Sequence, residues 1–205
     1  MKRLLSLDFF RGITIIAMII VNSPGSWSYV YNPLRHAEWH GVTPTDLIFP
    51  FFLFIVGVSI SLSFVKIKNN FNRNIYLKII RRSVIIFALG IFLSLFPDFD
   101  FYNLRFVGVL QRIALVYLIC SILYLNFNLV FLVITSFLIL IFYWILMMFV
   151  PFGGFDAGTI EPGINFAAWV DSFIVPGRLY MTTWDPEGFF STIPAIVTCI
   201  SGIIT

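Results

Sequence analysis

His36 and His40 stand four residues apart in the stretch RHAEWHGVTPTDLIFPFFLF, Arg35 to Phe54, and they are the chain's two histidines. An imidazole titrates near neutrality, so either ring can take a proton or attack as a nucleophile. On a helix the same spacing could hold a metal. Glu38 completes no recognised zinc motif, however, and Pro33 and Gly41 leave space for only a short turn. A histidine resting at a membrane interface is the plain alternative. Asn22 closes the apolar run IIAMIIVNSPGSW before the break at Pro24 and Gly25. Its amide either caps that helix or donates to an oxyanion forming at the membrane edge. Asp46, in TPTDL, sits where a helix start favours negative charge, with Thr43 or Thr45 as the cap. The same carboxylate could orient His36 or neutralise a cation.

Other polar residues are fewer. Arg112, in GVLQRIALVY, lies about one turn inside an apolar run, where an arginine either snorkels to the interface or faces a cavity. With Arg105 it could bind an anionic group of a substrate. Trp184 belongs with Trp27, Tyr29, Tyr31 and Trp39 to a set that reads as an aromatic belt or as a platform for a sugar or adenine ring. Asp8 and Arg11 are three apart and can pair on one helix face. Cys120 and Cys199 fall in apolar runs and read as packing residues, with no disulfide framework or metal set around them.

The elements that must position these groups are membrane helices. Apolar residues make up 60% of the 205 and charged residues 11%, against about 25% in a soluble domain. Mean hydropathy is +0.97. The pattern predicts an all-α, polytopic transmembrane bundle forming one domain over 1–205, with complete spans near 10–23, 46–65, 80–96, 108–125 and 129–150. A sixth, 189–205, is still running at Thr205, which reads as a fragment of a longer protein. Pro50 predicts a kink in the second span. The first run is interrupted by Asp8 and Arg11 and reads as a retained helix, not a signal peptide.

Nine of the 13 Lys and Arg residues fall at the N-terminal end or in 66–82, with one acid, Asp8; the remaining nine acids lie on the other side. The positive-inside rule makes the N-terminus cytoplasmic. The net charge of +3 therefore reflects topology and not a nucleic-acid partner. The connections 24–45, 97–107 and 151–188 are long, aromatic and rich in Gly and Pro, as functional loops are. A transporter of small solutes, or a structural subunit, would also use kinked helices with polar residues. A transporter keeps those residues near the midplane, whereas here they gather at the outer edge, which favours an enzyme.

Four blocks, RLLSLDFFRGITIIAMIIVN, HAEWHGVTPTDLIFPFFLFIVGVSISLS, RFVGVLQRIALVYL and TTWDPEGFFSTIPAIVT, are strung in order along nearly the whole length of the chain. They resemble the bacterial relatives of heparan-α-glucosaminide N-acetyltransferase, a polytopic membrane family. The resemblance implies acetyl-CoA as donor and transfer across a bacterial cytoplasmic membrane to an amino sugar or other glycan acceptor on the outer face; the residues themselves lead to the expectation of no metal. It places the catalytic histidine on His36 and the active-site asparagine on Asn22. It leaves the acceptor, a second copy of the chain as partner, and the choice between direct transfer and an acetyl-histidine intermediate open.

Overall fold

The structure, a computed structural model, describes residues 4–68 and 72–205. Lys2 and Arg3, and residues 69–71 of the basic segment, lie outside that description. The chain runs α1 (Leu5–Asn22), α2 (Ile48–Phe64), α3 (Arg73–Leu95), α4 (Val109–Asn126) and α5 (Leu129–Phe149). A two-residue hairpin follows, β1 (Ile160–Glu161) against β2 (Ile164–Asn165), then α6 (Phe166–Ile174) and α7 (Thr192–Ile204). The architecture is mostly helical, with that small hairpin as an addition to the all-α expectation.

Four segments are long and apolar enough to cross a membrane: Leu5–Asn22, Pro44–Phe64, Val109–Asn126 and Leu129–Phe149. The two other expected spans differ in physical terms. The expected 80–96 span is the larger part of a 23-residue helix that begins at Arg73 and also carries Lys78, Arg81 and Arg82. Those residues therefore form helix, not loop. The expected sixth span is the apolar helix α7, whose 13 residues run to Ile204, next to the last residue of the sequence. Pro50 falls in the first turn of α2, where a missing N–H breaks no internal bond, so the kink argument does not apply to it.

Local chemistry sets the helix starts. Asn72, Asn128 and Asn165 each accept a hydrogen bond from a first-turn N–H, at 2.9, 2.8 and 2.9 Å, and so begin α3, α5 and α6. Thr43 and Asp46 form a capping box on the 3₁₀ turn Pro44–Leu47 that leads into α2. α1 ends at Asn22, and Gly25 beyond it takes a positive φ of 72°.

α4 is the central helix. Val116, Cys120 and Ser121 on it are completely buried, and Cys199 and Ile200 of α7 face the same core. The two cysteines are packing residues, as expected. α2 and α7 touch backbone to backbone: a Cβ at Gly57 would overlap the Cys199 carbonyl, and one at Gly202 would overlap that of Phe54. Without a hydrophobic drive between helices in lipid, such small-residue contacts supply the packing. Gly57→Leu should therefore destabilise the bundle by about 1–3 kcal/mol or more, the usual scale of overpacking. Thermal unfolding in detergent would show it as a lowered Tm, and an unchanged Tm would contradict the contact.

Candidate active site

The site is built at the end of the bundle where α1 and α3 finish and α2, α4 and α7 begin. His36 lies between two 3₁₀ turns, Asn32–Leu34 and Pro44–Leu47. Residues 35–43 are bends and extended chain, so the four-residue spacing of His36 and His40 carries no helical meaning. His36 Nδ1 is 2.7 Å from Asp46 Oδ1. A carboxylate can only accept, so the ring nitrogen that meets it carries the hydrogen and Nε2 of a neutral ring keeps its lone pair. Asp46 is itself fixed. Its Oδ2 accepts from Thr43 N at 2.8 Å, Ala37 N at 3.2 Å and Thr43 Oγ1 at 3.0 Å. One carboxylate thus ties the His36 loop to the start of α2 and orients the imidazole. The His36 side chain is 66% exposed, open to a reactant. His40 is also exposed and makes no such pairing among the described residues.

Asn22 is exposed at the last position of α1, and one amide hydrogen goes to the Met18 carbonyl at 2.9 Å. Beside the His36 loop, Trp39 Nε1 donates to the Ile160 carbonyl at 2.7 Å, and its ring meets Trp184 edge to face with centroids 5.1 Å apart. Trp184 therefore joins the loop at 151–188 to the histidine loop.

Arg105 and Arg112 are paired, and neither is a free cation. Arg105 Nε donates to Asp185 Oδ2 at 2.7 Å, while Nη2 reaches both Asp185 and Glu187. Burial works to raise the Asp185 carboxyl, but the Arg105 hydrogen bonds and charge override it and hold it below its ordinary value. Arg112 does not snorkel. It is buried, and Nη2 donates to the carbonyls of Pro186 (2.9 Å) and Gly188 (3.1 Å) and to Ser191 Oγ. Its guanidinium lies 5.7 Å from the Phe49 ring centroid, three residues beyond Asp46. Asp171 of α6 accepts from Phe190 N at 2.8 Å, and burial pushes its carboxyl up. Sequence reasoning passed over Asp171, Asp185 and Glu187. The signal was present in WDPEG, where two acids flank a proline beside a glycine turn within reach of two unpartnered arginines.

Two cavities accompany the site. One, of about 680 Å³, opens among α1–α4 toward the basic end of the bundle, with Arg11, Lys78 and Arg82 on its wall beside Ser59 and Tyr117. Arg11 pairs with Asp8 at 3.3 Å, as expected, and donates to Ser59 Oγ at 2.9 Å. The other, of about 360 Å³, lies at the loop end and is lined by Gln111, Arg112 and Glu187. His36 and Asn22 are absent from the lining of both. Among the described residues no cluster of three or more His, Cys, Asp or Glu side chains is gathered as for a metal.

The chain is thus a helical membrane bundle with His36 oriented by a carboxylate where α2 begins. The chain belongs to the family described as heparan-alpha-glucosaminide N-acetyltransferase, catalytic, whose family model matches residues 3–183. It is similar to the human heparan-alpha-glucosaminide N-acetyltransferase, with 39% identity over 132 residues, 61% of this chain and 19% of that protein. The mouse protein of the same name is 34% identical over 129 residues, again 60% of this chain and 19% of the relative. The chain thus spans about a fifth of the length of the curated relatives it matches.

Proposed function

We propose that this chain, as one domain, carries the acetyl-handling part of a membrane acetyltransferase. It moves an acetyl group from acetyl-CoA to an amino sugar or other glycan acceptor on the outer face. The observation that carries the reading is the 2.7 Å pair of His36 and Asp46 in a loop stitched to the start of α2. The names of the two relatives support an N-acetyl transfer. His36 Nε2 takes the proton from the acceptor's amine or hydroxyl as that group attacks the thioester carbonyl. The new C–N or C–O bond forms, the C–S bond breaks, and the proton held by His36 goes to the departing thiolate. The Asn22 amide hydrogen not spent on Met18 donates to the oxyanion, a donation worth about 2.7–4 kcal/mol of barrier in other enzymes. An acetyl-His36 intermediate would use the same pair, with Nε2 as nucleophile. Trp184 walls the acceptor, and Arg105 and Arg112 hold the segment that carries it.

The donor enters from the cytoplasm. Arg11, Lys78 and Arg82 suit the anionic phosphates of CoA, and the apolar depth of the 680 Å³ cavity, past Phe52 and Ile113, suits its pantetheine arm. The test is transfer from labelled acetyl-CoA in membranes holding the full-length protein. Arg82→Gln should raise KM for acetyl-CoA about tenfold with little change in kcat, since a charge-assisted hydrogen bond is worth about 1.5–3 kcal/mol. A fall in kcat at unchanged KM would remove the donor from that cavity.

The orientation, in a bacterial cytoplasmic membrane with the N-terminus inside, rests on the basic residues. Cysteines placed at Lys66 and Gly158 test it with an impermeant thiol reagent added to intact cells. Gly158→Cys should label and Lys66→Cys should not; the reverse pattern would invert the topology.

A further inference from the structure

The 360 Å³ cavity at the loop end takes no part in the chemistry above, yet it is built like a binding site. Its volume falls within the roughly 300–1,000 Å³ of small-molecule sites. It lies between α3 and α4, under the end of α6 and the 187–192 segment. Gln111 on its wall is 4% exposed, and its side-chain amide makes no hydrogen bond among the described residues. A glycine on α3 makes room for that amide: a Cβ at Gly90 would stand 2.5 Å from Gln111 Oε1. Beside it Arg112 is 9% exposed, and its Nε is a buried donor without a partner among the described residues. Buried polar groups are ordinarily satisfied, so an unpartnered buried Nε on Arg112 beside an unbonded Gln111 amide on one cavity wall points to a ligand.

The polarity of the cavity is graded. Gln111, Arg112 and Glu187 lie toward the loops, while Phe87 and Leu115 lie about one helical turn further from the α3–α4 connection than Gly90 and Gln111. The deep end is apolar. The charge of the rim disfavours an anion, because Asp171, Asp185 and Glu187 all act on Arg112, and with Arg105 they make three acids against two cations. We propose that this cavity binds a neutral, hydroxyl-bearing amphiphile, its tail against Phe87 and Leu115 and its polar head at Gln111 and Glu187. The inference is independent of the acyl-transfer reading. Two sources share this chemistry, the sugar-headed end of a glycolipid and a neutral glycerolipid of the bilayer.

The test uses the full-length protein in lipid nanodiscs and an alkyl glucoside with a photoreactive diazirine in its tail. Labelling should saturate and map to the segments of Phe87, Leu115 and Phe189. Leu115→Trp should abolish it, and Gln111→Leu should weaken apparent affinity about tenfold, the scale of a lost hydrogen bond to a buried group. Competition by unlabelled alkyl glucoside alone supports the proposal with a glycolipid source. Competition by monoacylglycerol as well supports it with bilayer lipid as a source. Non-saturable labelling, labelling elsewhere, or equal competition by an alkyl phosphate would overturn it. The competition series on the unsubstituted protein decides the matter even where Leu115→Trp does not fold.

Discussion

In membranes carrying the full-length protein, His36→Ala lowers acetyl transfer by about 10²–10⁴-fold, the contribution of a positioned general base. His40→Ala keeps most of it. The two rings share one loop between α1 and α2, yet only His36 is held by a carboxylate, at 2.7 Å. Asp46→Asn isolates that carboxylate. The amide oxygen can still accept from Thr43 N and Ala37 N, so the loop should stay in place. Its NH₂ then faces the ring and donates to Nδ1, which forces the hydrogen onto Nε2 and removes the base. The fall should therefore approach that of His36→Ala, with protein level and CoA affinity little changed. A histidine that only packs would leave all three variants active, and equal loss in the His36 and His40 variants would assign a shared structural role. Retained activity in His36→Ala would end the proposal.

This pair was legible in the sequence to an unequal degree. Hydropathy located the apolar segments because lipid contact demands it residue by residue. α5 is a case in point, with only 6% of its window buried inside the bundle. The capping box of Thr43 and Asp46 was readable from TPTD, since it is a local pattern. That Asp46 also reaches His36, ten residues back, depends on how two 3₁₀ turns fold a bend, and no periodicity encodes it. Hydropathy marks four of the expected six spans plainly, and α3 and α7 less so. α3 is long enough to cross but carries four cations in its first half, and α7 is apolar through Ile204, next to the last residue of the sequence. Loop 151–188 read as turns from its Gly and Pro, which hid α6, a nine-residue helix begun by Asn165. Arg105 and Arg112 read as free cations because their partners lie 74 to 82 residues away. Only closing the loops brings those acids and carbonyls to them.

Removing that partnership gives the largest expected loss of stability. Arg105→Ala should destabilise the folded protein by about 3–5 kcal/mol at neutral pH, the cost of leaving a buried charge uncompensated. The Asp185 side chain is 0% exposed, and Arg105 is the cation that meets both its oxygens. Its other partners, Tyr180 N at 3.0 Å and Glu187 N at 2.9 Å, are neutral donors. Arg105→Lys should fall between, because an ammonium keeps the charge but cannot bridge two carboxylates in the plane of a guanidinium. The pH dependence separates this cause from lost packing. In the unsubstituted protein the Asp185 carboxyl sits below its ordinary value, since Arg105 overrides the burial that would raise it. A depressed carboxyl contributes stability above its unfolded pKa, near 3.9, and loses it as pH falls through the lower folded value. In Arg105→Ala the override is gone and burial raises the carboxyl, so folding takes up a proton and acid stabilises the variant relative to neutral pH. The gap between the two proteins should therefore narrow as pH is lowered from 7 toward about 4. Thermal unfolding in nanodiscs, followed by tryptophan fluorescence across that range, measures it. A gap that stays constant with pH would make Arg105 a packing residue and not the counter-charge of Asp185.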